Sequence, residues 1–240
     1  MNEKNKNVAI EVRDVEYIYP DGTIGVNRIS LNILEKDRIV ITGANGSGKT
    51  TLLLLIAGLL KPQRGYVKIL GYEVNKKNVE NIRRNVGIVF QNPDDFLFNP
   101  TVREELLYTP AQLDMPYDEA IKLAEKYSKT FGIEKLLDKP PFRLSGGEKK
   151  KVALAAVMML KPKVLLLDEP TANIDGKTRK KIIEMVKDFN GTLIVATHEL
   201  DLIPKIANRV ILLGMNKELI ANGDLSVLED RKLLEENGII

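Results

Sequence analysis

The run Gly43-Ala44-Asn45-Gly46-Ser47-Gly48-Lys49-Thr50 fits the pattern G-x-x-x-x-G-K-[ST]. Its glycines let backbone N–H groups close around phosphate oxygens, and a helix starting at its end adds a favourable dipole. In this pattern Lys49 reaches the β- and γ-phosphates of a nucleotide, and the Thr50 hydroxyl is placed to ligate Mg²⁺. A second constellation, Val164-Leu165-Leu166-Leu167-Asp168-Glu169, is an apolar run that ends in two acids. A strand of this kind sets a carboxylate at the carboxyl edge of a sheet, where α/β proteins bind their ligands. Asp168 would hold Mg²⁺ through its water shell, and Glu169 would polarise an attacking water as general base. A third, Leu144-Ser145-Gly146-Gly147-Glu148, precedes the apolar helical run Val152 to Leu160. Ser145 is a good N-cap there, and the glycines expose N–H groups at a helix start, a second anion site on the same chain.

These residues need a scaffold, and the pattern of apolar residues supplies one. Arg38 to Thr42 (RIVIT) is a β-branched run entering the glycine-rich turn, and a helical stretch follows from Lys49 to about Leu60, closed by Lys61-Pro62. Val8 to Val15 and Ile29 to Ile33 alternate apolar with polar residues, as half-buried strands do. Val86 to Phe90, Val164 to Leu167, Leu193 to Ala196 and Val210 to Leu213 read as fully buried strands. Helical patterns separate them, which predicts an α/β fold with a parallel sheet covered on both faces. From Gln91 to Leu160 strand signals vanish, and Tyr117 to Phe131 carries apolar residues at helical spacing, so a helical subdomain is expected to interrupt the sheet.

Composition excludes several classes. The 240 residues carry a net charge of only +3, with the charges interspersed, so no nucleic-acid partner is expected. Cysteine is absent, which removes disulfides and thiolate metal sites and points to a reducing compartment. The polar stretch Met1 to Asn7 has no apolar core of the kind a secretion signal needs. The longest apolar stretch, Leu52 to Leu60, falls far short of the ~20 residues that span a bilayer, so a soluble protein that docks on a membrane protein is expected.

With the third motif the chain resembles the ATP-binding-cassette (ABC) ATPases, whose signature reads LSGGE or LSGGQ. The resemblance runs from about Val8 to Asp224 and implies a P-loop NTPase (RecA-like) core with an antiparallel β subdomain and an inserted α-helical subdomain. On that plan residues 1–90 and 161–216 form the nucleotide-binding core with its β subdomain. Residues 91–160 form the helical signature subdomain, and 217–240 a C-terminal tail. The cofactors implied are ATP and Mg²⁺, held by Gly43, Ala44, Asn45, Gly46, Ser47, Gly48, Lys49, Thr50 and Thr51, with Thr50, Asp168 and Gln91 at the metal. Tyr19 matches the aromatic that stacks on adenine, with Tyr17 as the alternative candidate for that role. Gln91 matches the glutamine that links the Mg²⁺ site to the helical subdomain. Asp175, in TANID, matches the aspartate that crosses a dimer interface, and His198, the one histidine, matches the residue that contacts the γ-phosphate. Ser145 and Gly147 would contact nucleotide bound by a second ATPase subunit. The expected catalytic set is then Glu169, His198, Lys49 and Gln91.

A finer resemblance follows Gln91. The segment Gln91-Asn92-Pro93-Asp94-Asp95-Phe96-Leu97-Phe98 is similar to the Q-N-P-D segment of the energy-coupling factor importers of vitamins, cobalt and nickel. Asn99-Pro100-Thr101-Val102-Arg103-Glu104-Glu105 is similar to the helix opening that follows it, with Thr101 as N-cap, and Val227 to Ile240 to their C-terminal extension. Phe96 departs from the pattern, standing where a glutamine is expected. This resemblance implies integral membrane subunits as partners and a place at the cytoplasmic face of the cell membrane. Asp94 and Asp95 would there meet basic residues of a membrane-subunit helix, and Phe96 and Phe98 would supply apolar contact. Soluble relatives give the other reading. DNA-repair members carry a long coiled coil that this chain lacks, and translation factors carry two cassettes, but an iron–sulfur cluster assembly ATPase fits the length. Homodimer and heterodimer are both compatible with complete motifs.

Overall fold

The computed structural model describes residues 7–240; residues 1–6, most of the stretch expected to lack a secretion signal, lie outside the described residues. In chain order the elements are β1 (Val8–Ile18), β2 (Ile24–Leu34), β3 (Arg38–Thr42), α1 (Lys49–Ile56), β4 (Arg64–Ile69), β5 (Tyr72–Glu73), α2 (Val79–Arg83) and β6 (Val86–Val89). The helices α3 (Val102–Gln112), α4 (Tyr117–Phe131) and α5 (Gly146–Met158) follow without a strand. The chain then runs through β7 (Val164–Asp168), α6 (Gly176–Asp188), β8 (Thr192–Ala196), α7 (Ile203–Ile206), β9 (Arg209–Leu213), β10 (Leu219–Gly223) and α8 (Arg231–Glu236). One sheet is antiparallel, in the order β2-β1-β4-β5. The other has the order β10-β9-β3-β8-β7-β6 and is parallel except for β10.

Strands β3, β7 and β8 are nearly all apolar because both faces of their sheet are covered. Alternate side chains part to two cores. Val40, Leu165, Leu167, Leu193 and Val195 point to a core shared with the helices of the insertion. Ile39, Ile41, Val164, Leu166, Ile194 and Ala196 point to a core shared with the antiparallel sheet and α1. Each buried Val, Leu or Ile side chain gains roughly 1.5–3 kcal/mol from burial, so a slip of one residue in register is disfavoured along the whole strand. That register fixes the site. Ile41 pairs with Ala196, and Ala196 pairs with Asp168, so the carboxyl ends of β3, β8 and β7 lie side by side.

The insertion is helical, as its sequence predicts. Thr101 caps α3 by accepting from Glu104 N, and Ser145 caps α5 in a reciprocal capping box with Glu148. The sequence reading differs from the structure mainly in the antiparallel sheet. β1 runs on to Ile18 and β2 starts at Ile24, because register shifts beside Asp14 (φ 44) and Arg28 (φ 49) break the strict alternation that marks a strand. Strands β4, β5 and β10 are short and partly exposed, and gave no such pattern. Helix α1 ends at Ile56 rather than Leu60, because Gly58 takes a left-handed conformation (φ 69) and turns the chain. β6 likewise stops at Val89, one residue before Phe90.

Candidate functional site

The loop between β3 and α1 holds its shape through glycine and Lys49. Gly48 sits at φ 96, and a Cβ there would strike the carbonyl oxygen of Gly25. Lys49 is buried, and its Nζ donates to the carbonyls of Gly43 (2.8 Å) and Ala44 (3.0 Å), folding the loop back over the helix start. Burial pushes the Lys49 ammonium below its ordinary pKa, while Glu169 and Asp168 pull it back up. The N-terminus of α1 has no side-chain cap and no acidic residue in its first turn, so it suits an anion. Gly43 and Ser47 are buried beneath the loop, while Asn45, Gly46 and Gly48 line the cleft above it.

The two acids leave the end of β7 in different company. Asp168, buried, accepts from the Thr50 hydroxyl at 2.6 Å, so the loop threonine and the strand-end carboxylate share one point. Burial raises the pKa of Asp168; the Thr50 hydrogen bond opposes this, and neighbouring Glu169 adds to it. Glu169 is also buried, and its carboxylate accepts from Thr197 Oγ1 (3.0 Å), His198 N (3.2 Å) and His198 Nδ1 (2.7 Å). Facing a carboxylate oxygen, Nδ1 carries the proton and donates it. The His198 ring is about half exposed, with side-chain accessibility 55% against 6% for Glu169. Sequence reasoning singled out both residues but did not join them, and it missed Thr197, which clamps the second carboxylate oxygen.

Tyr19 forms the far wall. Its hydroxyl meets Thr51 Oγ1 at 3.0 Å, and its ring packs edge-on against Tyr17 at 5.0 Å. Between this wall and the acids lies a cleft of about 520 Å³, lined also by Gln91, Thr23, Ile24, Gly25 and Lys217. The last four were not identified from sequence. They come from the β1–β2 hairpin and the β9–β10 turn, and nothing in their local pattern marks them. The fold thus brings Tyr19, the phosphate loop, Gln91, Asp168, Glu169 and His198 to one cleft.

It does not bring Ser145, Gly147 or Asp175 there. Asp175 caps α6 by accepting from Lys177 N and Thr178 N, and a Cβ on Gly147 would lie 3.5 Å from its carboxylate. Signature and aspartate therefore form a separate exposed patch, outside the cleft that the same chain builds. In the segment after Gln91, Lys149 of the same chain pairs with Asp94 Oδ1 at 2.6 Å, while the Asp94 side chain stays 56% exposed. Asp95 accepts from Asn92 Nδ2, Phe96 is half-buried against Phe90, and Phe98 is 65% exposed.

A phosphate loop of this build after β3, on a parallel sheet where β7, beyond β8, ends in two acids, defines an ATP-binding and ATP-hydrolysing enzyme. The chain belongs to the ABC transporter family, whose profile matches residues 26–172. A protein of Archaeoglobus fulgidus that bears the name of an ABC transporter ATP-binding protein is 56% identical, over 97% of this chain and 98% of its own length. The energy-coupling factor transporter ATP-binding protein EcfA of Carboxydothermus hydrogenoformans is 38% identical, over 97% of this chain and 87% of its own length. Among solved structures, cbiO1 of Clostridium perfringens, part of the ABC transporter complex cbiONQ, superposes with a TM-score of 0.81. It is 34% identical and covers 95% of this chain and 93% of its own. Among the described residues no helix is long and apolar enough to cross a membrane.

Proposed function

We propose that this chain is the ATPase subunit of an energy-coupling factor type importer of a vitamin or transition-metal ion, docked peripherally on its membrane subunits at the cytoplasmic face. The observation that carries the ATPase mechanism is the separation of two half-sites on one chain. The cleft holds the phosphate loop and the acids, while the signature stands outside it, exposed at the start of α5. Two subunits facing each other complete two sites, each pairing one phosphate loop with the partner's Ser145 and Gly147. Tyr19 stacks on the base, and Lys49 with the loop N–H groups holds the phosphates. Thr50 and Asp168 offer two hard oxygens at one point, with Gln91 on the same cleft, which suits Mg²⁺, an ion that keeps several waters. Bound there, Mg²⁺ would neutralise phosphate charge. Glu169 takes the proton from the attacking water, and His198 holds that carboxylate from one side while its exposed ring edge faces the γ-phosphate.

The importer assignment is supported by the EcfA and cbiO1 similarities along nearly the whole chain and by the exposed ring of Phe98 in the segment after Gln91. Neither of those two proteins is named for iron–sulfur cluster assembly. The test is a variant with Phe98→Ala and Asp95→Asn. ATP turnover should stay within about threefold of wild type, since neither residue lines the cleft, and the thermal midpoint should fall by no more than about 2–4 °C, the loss of the edge-on contact between Phe98 and Tyr108. Co-purification with the membrane subunits and solute uptake should be lost. A wild-type protein that co-purifies with a soluble assembly factor and with no membrane protein would replace this assignment with the scaffold reading.

A further inference from the structure

Lys150 is a buried amine that the ATPase mechanism leaves unused. It lies in the first turns of α5, five residues after Ser145, and is 6% exposed. Its Nζ donates to the carbonyls of Glu169 (2.8 Å) and Ala172 (2.7 Å). Those carbonyls belong to the turn that leaves β7, and that turn is strained. Glu169 has φ 45, in the left-handed region that non-glycine residues rarely occupy. It also precedes Pro170, whose ring disfavours helical conformations in the residue before it.

A conformation of this kind persists only where its surroundings over-determine it. On the amide side, Glu169 N donates to Ala196 O at 2.9 Å. On the carbonyl side, Ala172 N makes a longer bond at 3.3 Å, and Lys150 supplies the short one. The same turn of α5 also reaches the segment after Gln91, through the Lys149 pair with Asp94. The start of the signature helix therefore grips both the Gln91 segment and the backbone of Glu169.

We propose that Lys150 is a positioning residue for ATP hydrolysis: its two hydrogen bonds hold the Glu169 backbone so that the carboxylate faces the attacking water, and they tie the signature helix to that carboxylate. The proposal rests on the reading of Glu169 as general base. It has a consequence for the dimer. The signature that touches one nucleotide stands on the helix that sets the base acting on the other, so occupancy of one site is felt at its neighbour. Protonation of Lys150 is not required, because a neutral amine keeps two N–H donors.

The experiment compares Lys150→Met, which keeps an unbranched apolar stem and loses the donors, with Lys150→Gln, which keeps two N–H donors and loses the charge. Rates are normalised to the fraction of protein that binds a fluorescent ATP analogue, so that partial unfolding does not enter. Lys150→Met should lower kcat by about tenfold or more with KM within about threefold, and Lys150→Gln should restore kcat to within about threefold of wild type. Added to Glu169→Gln, Lys150→Met should change the residual single-turnover rate by less than about twofold, because both act through one carboxylate. The proposal is overturned if Lys150→Met keeps wild-type kcat, if Gln does no better than Met, or if the losses multiply in the double variant. Wild-type turnover in Glu169→Gln alone would instead remove the general base, a separate failure from that of Lys150.

Discussion

Glu169→Gln separates nucleotide binding from chemistry. In the structure the carboxylate accepts three hydrogen bonds, two on Oε1 from His198 and one on Oε2 from Thr197. A glutamine fits the same space. Its amide oxygen can take both His198 donors, and its amide nitrogen can donate to the Thr197 hydroxyl, which rotates to accept. The folded state then loses charge-assisted character in its hydrogen bonds, a cost of about 1 kcal/mol that leaves the fold intact. The backbone is untouched, so the Lys150 and Ala196 bonds remain. What disappears is the basic group. General base catalysis contributes roughly 10²–10⁴-fold, or about 3–5 kcal/mol of barrier, and the rate should fall by that factor. Nucleotide affinity should stay within about threefold, because Lys49, Thr50 and Tyr19 are unchanged. Single-turnover phosphate release measures the rate, and size-exclusion chromatography with Mg-ATP measures the dimer that should accumulate. Turnover above about a third of wild type would refute the assignment of Glu169 as base. A chain that stays monomeric with saturating Mg-ATP would refute the facing-subunit arrangement.

Asp168→Asn should stabilise the ligand-free protein while abolishing turnover. The pKa of Asp168 is raised in the folded state, so the folded chain holds this proton more tightly than the unfolded chain does. Stability from this group is present at low pH and is lost as pH rises from the ordinary 3.8 through the raised value, which leaves the ionised form costly at neutral pH. Asparagine can still accept from Thr50, so the thermal midpoint should rise by about 2–4 °C at pH 7 for each kcal/mol recovered. The gain should shrink as pH approaches 3.8; a lowered midpoint at pH 7 would count against the burial argument. Gly25→Ala tests the adenine wall, since the new Cβ would lie 2.6 Å from Thr51 Cγ2 and 3.0 Å from Tyr19 Cε2. Displacing the tyrosine should raise KM for ATP by about three- to tenfold with kcat nearly unchanged, and an unaltered KM would mean that Tyr19 does not meet the base.

Much of the site was legible in the sequence because its parts are local. The turn of Gly43 to Gly48 needs residues tolerant of positive φ, and the helix start needs Lys49 and Thr50 next in line. Asp168 and Glu169 end an apolar strand, and Ser145 with Glu148 spells out a capping box. The helical insertion was legible too, from the period of Tyr117 to Phe131. The antiparallel sheet was read only in part, because its bulges at Asp14 and Arg28 interrupt the alternation by which a strand is recognised. Thr23, Ile24, Gly25 and Lys217 were missed because their place at the cleft depends on two hairpins folding against the loop. The pairing of Asp94 with Lys149 was not legible because the two lie 55 residues apart in sequence.

By itself the sequence determined the chemistry available: a phosphate loop, a pair of acids after a strand, a capped glycine-rich helix start and one histidine. Those features depend on backbone freedom and hydrogen bonding within a few residues, so spacing alone reveals them. The tertiary structure decided which of them meet. Parallel pairing of β3, β8 and β7 sets the phosphate loop, the acids and His198 at one edge, so that His198 holds Glu169 and Thr50 reaches Asp168. The same packing leaves Ser145 and Asp175 outside that cleft and sinks Lys150 beneath the Glu169 turn. Such contacts join residues tens to more than a hundred positions apart, and they come from burial of strand faces that no local pattern assigns to a particular neighbour.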